Sequence, residues 1–165
     1  MLHKKHKYYF VIRCPLLAPG KNNNPIKTRI CIVEISSLKP HERTDSSRVK
    51  ALKDEIWLDG VLKKPIVVDE KTNVIIDGHH RAEALRLLGC TKIPVCYVDY
   101  MCDKIGLKTT AKNSVEITKD KVIEAALKNS PFDPKSTWHY LHFSKCIKHI
   151  SCIERRVDMP LDSLK

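Results

Sequence analysis

A short apolar run at residues 74–76 is followed directly by Asp77 and Gly78 and then by a helix-forming stretch. A buried strand that turns sharply into a helix needs a backbone conformation that glycine adopts at low cost. Another apolar run lies at residues 65–68, and the polar connection 69–73 between the two runs predicts a hairpin. This hairpin and helix constrain the fold most, because they require a sheet with a helix packed on it.

The neighbouring patterns predict an α+β fold. Apolar or alternating stretches predict strands, and apolar residues recurring on one face predict helices. The predicted strands lie at residues 8–14, 29–35, 65–68, 74–76 and 92–100, and the predicted helices at residues 46–58, 80–88 and 118–128. Ser46 or Ser47 is the expected cap of the first helix. A further short helix is expected from Ser136 onward, so we predict a small mixed sheet flanked by helices with a helical C-terminal extension.

Charge is unevenly distributed along the 165 residues, which carry a net charge of +11. Residues 1–30 hold seven Lys and Arg and no acidic residue, whereas residues 31–103 are nearly balanced. Residues 104–165 hold twelve basic and seven acidic residues. Basic flanks suit a polyanion such as a nucleotide phosphate or a nucleic acid, and a solubilising surface is the simpler interpretation.

The seven cysteines do not indicate a disulfide framework or a metal site. Their number is odd, and no two are spaced as Cys-x-x-Cys. Neither a secretory signal nor a membrane-spanning apolar stretch is evident in the sequence. We therefore expect reduced thiols, a cytoplasmic location and no membrane partner.

The turn formed by residues 77–81 (Asp-Gly-His-His-Arg) has the chemistry of a phosphate site. Amide groups at a helix N-terminus favour an anion, and Arg81 can form two parallel hydrogen bonds to a phosphate. Asp77 could hold a magnesium ion or accept a hydrogen bond from a hydroxyl group. The alternative is an Asp-Gly turn followed by a polar first helical turn, and these five residues alone do not decide between the two.

The order of motifs over residues 30–100 resembles the ParB/sulfiredoxin superfamily. His79 stands where sulfiredoxins have their catalytic cysteine, and a histidine cannot form the sulfur intermediate. The Lys-Pro-His-Glu motif of residues 39–42 and the 77–81 turn look most like the archaeal-type free L-serine kinases. Residues 134–139, Pro-Lys-Ser-Thr-Trp-His, are similar to a Pro-Lys-Thr-Thr-Arg-His stretch of those kinases, with Trp138 in place of arginine.

The resemblance implies a monomeric, archaeal-type, cytoplasmic enzyme that phosphorylates free L-serine. ATP or ADP is the implied donor, Mg²⁺ the implied metal, and O-phospho-L-serine the product, which feeds cysteine synthesis. The catalytic residues would be Glu42 as general base, Asp77 and His80, with Asp77 also the metal ligand. The nucleotide and phosphate contacts would be Gly78, His79, His80, Arg81, Ser136, Thr137 and His139, and the substrate contacts His41 and Ser47.

Alternatives remain for the whole chain and for single residues. A ParB-like DNA-binding or nucleotide-sensing module fits the same fold, and the basic flanks keep a nucleic-acid partner open. Glu42 could be a surface acid in a polar loop, and Ser47 could simply cap a helix. We expect a basic N-terminal segment packed on the core (1–29), a catalytic core (30–102), and a C-terminal segment (103–165) that completes the nucleotide site.

Overall fold

The computed structural model describes residues 8–11, 26–110, 116–143 and 146–165. The strands are β1 (Tyr8–Val11), β2 (Lys27–Glu34), β3 (Lys39–Pro40), β4 (Val61–Leu62), β5 (Ile66–Asp69), β6 (Val74–Asp77), β7 (Lys92–Val98), β8 (Ile105–Thr109), β9 (Thr137–His142), β10 (Ile147–His149) and β11 (Met159–Pro160). The helices are α1 (Ser46–Asp59), α2 (His79–Leu87) and α3 (Lys119–Leu127), and short 3-10 helices occupy Ile35–Ser37, Ile150–Ile153 and Leu161–Leu164.

Six strands form a mixed sheet in the order β1-β2-β7-β5-β6-β3. Strands β5 and β6 pair antiparallel, which confirms the predicted hairpin. Strand β3 pairs parallel with β6, with Lys39 opposite Val74 and Pro40 opposite Ile75. This pairing sets the residues that follow Pro40 beside the end of β6, where the 77–81 turn begins.

The centre of this sheet is buried on both faces. In β5, Ile66 and Val68 face one apolar core and Val67 faces the other. Helices α1 and α2 cover the first face, whereas α3 and the small sheet β10-β9-β8 cover the second. The strand and helix patterns predicted this α+β fold with its mixed sheet, and the structure arranges it in three layers.

The helix ends are fixed by capping residues, one of which differs from the sequence prediction. Helix α1 begins at Ser46, but the carboxylate of Asp45, rather than a serine, accepts hydrogen bonds from the amides of Ser47 and Arg48. An aspartate carries the charge that a helix N-terminus favours. Gly60 ends α1 in the left-handed conformation, and Thr118 caps α3 through the amide of Lys121.

The short helix predicted from Ser136 onward is wrong. Residues 137–142 form strand β9, which is hydrogen-bonded to β8 on one side and to β10 on the other. Its inward side chains, His139 and Leu141, are buried while Trp138 and Tyr140 are partly exposed. Alternating burial and strand partners on both sides outweigh the weak local signal. The C-terminal extension accordingly combines α3 with a three-stranded sheet.

The described parts of the N-terminal segment 1–29 are β1, which pairs antiparallel with β2 at the sheet edge, and residues 26–29, which contain the start of β2. The remainder of the predicted 8–14 strand and of the basic segment lies outside the described residues. The three predicted chain segments stay predictions. Within the described ranges, no helix is both long and apolar enough to cross a membrane.

Gly78 connects β6 to α2 in a conformation that excludes a side chain. Its φ is +99°, and a Cβ atom there would lie 2.4 Å from Cγ2 of Ile66. Gly89 has a φ of +76°, but a Cβ there meets nothing within 4 Å. The two positions share a backbone cost and differ in steric cost.

We expect Gly78→Ala to destabilise the protein more than Gly89→Ala does. The left-handed backbone alone costs about 1–2 kcal/mol, and overpacking against Ile66 adds about 1–3 kcal/mol. Urea unfolding of both variants and the parent protein measures the difference. Equal losses in the two variants would contradict the steric argument.

Candidate functional site

The 39–42 motif and the 77–81 turn come together at one end of the six-stranded sheet. The imidazole rings of His41 and His79 lie edge to face, with centroids 4.5 Å apart. The backbone N–H of Asp45 donates to Nε2 of His80 over 3.1 Å. Two motifs that are distant in sequence therefore line the same site.

The carboxylate of Glu42 is held by the 134–139 segment. Its Oε1 atom accepts hydrogen bonds from the amide of Thr137 at 2.7 Å and from the hydroxyl of the same residue at 2.6 Å. Its Oε2 atom accepts from the amide of Lys135 at 3.2 Å. Burial raises the pKa of Glu42, and these hydrogen bonds act in the opposite direction. Glu42 is thus a positioned, partly desolvated carboxylate rather than a free surface acid.

A cavity of about 390 Å³ opens beside this carboxylate. Glu42, Thr44 and His79 line it together with apolar side chains from the segment before α1, from β6 and from α2. Two ion pairs lie close by, Arg86 with Glu83 and Arg43 with Asp133. The cavity gives a small polar molecule access to Glu42.

Three buried histidines form the floor of the site. His41 donates through Nδ1 to the carbonyl of Ile75 at 2.6 Å, and its ring also meets that of His139. Nε2 of His139 lies 2.9 Å from the hydroxyl of Tyr100. Burial lowers the pKa of His41 to about 4 and the pKa values of His79 and His139 well below the usual value. At neutral pH the cluster is uncharged.

The two adjacent histidines of the turn differ in environment. Nε2 of His79 is the one buried side-chain nitrogen or oxygen of the described residues that lacks a hydrogen-bond partner. His80 is partly exposed, and burial followed by the charge of Arg48 lowers its pKa. Since Nε2 of His80 accepts a hydrogen bond, its proton resides on Nδ1. His80 can therefore donate one hydrogen bond to a ligand.

Arg81, a predicted phosphate contact, forms its hydrogen bonds within the protein. Its terminal nitrogens donate to Asp77 at 2.9 Å, to both carboxylate oxygens of Glu154, and to the carbonyl of Pro65. A phosphate could reach these nitrogens only by displacing a carboxylate. Arg81 consequently orients Asp77 and balances its charge.

The predicted phosphate contacts in the 134–139 segment are also used within the protein. The hydroxyl of Ser136 donates to the carbonyl of Asp133, and that of Thr137 contacts Glu42. His139 is buried against Tyr100. Ser47, a predicted substrate contact, donates through its amide and hydroxyl to the capping carboxylate of Asp45. These contacts hold the parts of the site together, and the ligand roles of these residues stay predictions.

Sequence reasoning missed Glu154, which is far from the other motifs along the chain. Burial raises the pKa of Glu154 to about 7. Asp77 also raises this pKa, whereas Arg81 lowers it. Asp77 and Glu154 share the guanidinium of Arg81, so its positive charge does not balance both carboxylates and Glu154 holds a proton more tightly. His149, also missed, lies 3.9 Å from Asp77 through its Nε2 atom. Neither residue belongs to a recognisable motif, so only the folded chain reveals them.

The described ranges contain no group of three His, Cys, Asp or Glu side chains that could hold a metal ion. Magnesium commonly uses one or two carboxylates together with substrate phosphates rather than a complete protein cage. Asp77, the last residue of β6 and the first of the 77–81 turn, offers such a carboxylate. The donor set therefore fits Mg²⁺ only in company with a bound phosphate chain.

The buried Glu154 carboxyl should make stability depend on pH. Its folded-state pKa of about 7 exceeds the ordinary value of 4.5, so its contribution is present at low pH and is lost as the pH rises toward 7. Glu154→Gln removes this titration. We expect the stability of Glu154→Gln relative to the parent to increase between pH 4.5 and 7. Urea unfolding with a chelator present measures it, with exposed Glu70→Gln as control. If the difference in unfolding free energy between Glu154→Gln and the parent stayed constant from pH 4.5 to 7, the raised pKa of Glu154 would be refuted.

Comparison with known proteins gives several L-serine kinases and a ParB-like protein from Sulfolobus acidocaldarius, which is 36% identical over 76 residues, 46% of this chain and 38% of the relative. An ATP-dependent L-serine kinase from Staphylothermus marinus is 32% identical over 104 residues, which is 60% of this chain and 39% of the relative. An ADP-dependent L-serine kinase from Thermococcus kodakarensis is 29% identical over 87 residues, which is 50% of this chain and 36% of the relative. The chain thus spans about two fifths of the length of these curated relatives.

Solved structures show the same fold. A free serine kinase in complex with AMP superposes with a TM-score of 0.67 at 15% identity, covering 82% of this chain and 93% of that one. At the level of families, the ParB N-terminal domain matches residues 20–129. This match takes in both the 39–42 motif and the 77–81 turn, and the chain belongs to the ParB N-terminal domain family.

Proposed function

We propose that this protein is a kinase that transfers a phosphoryl group from ATP or ADP to the hydroxyl of free L-serine. The observation that carries the proposal is the Glu42 carboxylate, which is fixed by Thr137 and Lys135 beside the 77–81 turn. The names of the relatives and the shared fold support it. Phosphoryl transfer demands mainly positioning and charge stabilisation, which a preorganised site of this kind supplies.

Glu42 is the general base of the proposed reaction. A serine hydroxyl needs a nearby acceptor for its proton as the phosphorus–oxygen bond forms. Burial raises the pKa of Glu42 toward the neutral range in which a carboxylate accepts protons more readily. The cavity beside Glu42 gives the serine a place to bind.

The start of α2 is the proposed phosphate site. The amides that follow Gly78 face outward from the helix N-terminus, which favours an anion. His80 can donate a hydrogen bond from Nδ1 to a phosphate, and His79 is buried at the first position of α2. Asp77, oriented by Arg81, would hold Mg²⁺ against the nucleotide phosphates and so neutralise charge that develops during transfer.

The biological setting is proposed on the same basis. The product, O-phospho-L-serine, would feed cysteine synthesis in an archaeal cytoplasm, and the enzyme would act as a monomer. Residues 103–165 contribute Thr137 and Lys135 to the site, which supports their assignment to a segment that completes it.

Glu42→Gln should reduce formation of phosphoserine by about 10²–10⁴-fold, because an amide cannot accept the hydroxyl proton. The assay supplies L-serine, Mg²⁺ and either ATP or ADP and detects the product by mass spectrometry. Exposed Glu70→Gln is the matched control and should retain activity.

Two outcomes separate the parts of this proposal. Unchanged turnover in Glu42→Gln would refute the base assignment even if the parent protein is active. Absence of phosphoserine with either donor, from folded parent protein, would refute the kinase assignment. A salt-dependent DNA titration would then test the ParB-like binding function.

A further inference from the structure

The hydroxyl of Thr137 lies between two hydrogen-bond acceptors. Its Oγ1 atom is 2.6 Å from Oε1 of Glu42 and 3.1 Å from Nε2 of His41. A hydroxyl has one proton to donate and can accept with its lone pairs. The hydroxyl can donate its one proton to Glu42 or to His41, but not to both at once. Thr137 therefore couples these two residues.

The protonation of His41 follows from its other contact. Nδ1 lies 2.6 Å from the carbonyl oxygen of Ile75, which only accepts, so Nδ1 carries the proton. Burial holds the pKa of His41 at about 4, so the ring is neutral at pH 7. Nε2 consequently has a free lone pair and competes with Glu42 for the hydroxyl proton of Thr137.

We propose that the Thr137 hydroxyl turns between Glu42 and His41, and that His41 thereby sets how tightly Glu42 holds a proton. While Glu42 is ionised, the hydroxyl donates to the charged Oε1, because hydrogen bonds to charged acceptors are stronger. When Glu42 gains a proton, the hydroxyl donates to Nε2 of His41 instead. His41 and Thr137 are positioning residues for the base, roles that differ from the substrate and phosphate contacts expected from sequence.

This inference rests on the proposed function only for its catalytic consequence. As the serine oxygen bonds to the terminal phosphorus of the nucleotide, the bond from that phosphorus to the bridging oxygen breaks and the shortened nucleotide leaves. The serine O–H bond breaks and a new O–H bond forms at Oε2 of Glu42, which accepts from the amide of Lys135. The Thr137 O–H bond stays intact and rotates. The hydrogen bond gained by His41 then offsets part of the one lost at Oε1, so the protonated base is stabilised.

Several other titratable or charged groups lie around His41 and Glu42. The rings of His79 and His139 flank His41, and Asp77 acts on it from β6. Around Glu42, the neighbouring Arg43 is paired with Asp133, and across the cavity Arg86 is paired with Glu83. None of these groups bridges Glu42 and His41 as Thr137 does.

Two substitutions should shift the titration of Glu42 in opposite directions. Thr137→Val removes the donor that stabilises the carboxylate and should raise the pKa of Glu42 by about one unit. His41→Asn keeps a donor for Ile75 but removes the competing acceptor, so it should lower that pKa. Thr137→Ser keeps the hydroxyl and should behave like the parent. A purely structural role for His41 would not predict shifts of opposite sign.

The test uses NMR titration of the full chain without substrates. Carboxyl ¹³C signals report Glu42, identified by their loss in Glu42→Gln, and imidazole ¹⁵N signals report His41. We expect Nε2 of His41 to be unprotonated at pH 7 and its signal to follow the titration of Glu42 in the parent and in Thr137→Ser, but not in Thr137→Val. A protonated Nε2, or a signal that follows Glu42 in Thr137→Val, would overturn the inference.

The ¹⁵N titration of His41 tests the coupling through Thr137 even if His41→Asn fails to fold, because it needs only the parent and the two Thr137 variants. The readout is also independent of kinase activity. Coupled titration without phosphoserine formation would support the inference and refute the kinase. Phosphoserine formation without coupled titration would do the reverse.

Discussion

The insertion of the Glu42 carboxylate among the amides of Lys135 and Thr137 is the interaction on which the site depends. It joins residues 93 and 95 positions apart in the chain. The amide of Phe132 donates to the carbonyl of His41, and the amide of Arg43 donates to the carbonyl of Phe132. A carboxylate removed from water is costly unless hydrogen bonds replace its hydration. These contacts supply such bonds, and they fix the loop before α1 to the segment before β9.

A second network fixes the opposite side of the site. Arg81 holds Asp77 at the end of β6 and binds the buried Glu154. Two carboxylates around one guanidinium leave an excess of negative charge, which is relieved when Glu154 takes up a proton. The guanidinium of Arg81 thus neutralises part of the charge of these two carboxylates. A divalent cation with a phosphate chain would meet Asp77 already oriented.

Between these networks lies a neutral layer of three histidines. Their burial keeps His41, His79 and His139 uncharged, so they contribute hydrogen bonds and shape rather than positive charge. Charge toward a phosphate must come from the α2 N-terminus, from exposed basic side chains or from a metal ion. The histidine layer thus lies between the proposed proton acceptor, Glu42, and the proposed phosphate site at Gly78.

The sequence by itself determined the central sheet, its three helices and the two motifs that meet at its end. These features are local: strands β5 and β6 follow from apolar runs, α1 and α3 from their apolar faces, and the turn from Gly78. Only the tertiary structure decided the partners of Arg81, Ser136 and Thr137, the burial of Glu154 beside Arg81, and the strand at residues 137–142. Those features depend on partners distant in the chain, because strand pairing, burial and the sharing of one guanidinium by two carboxylates arise only when separate segments pack together.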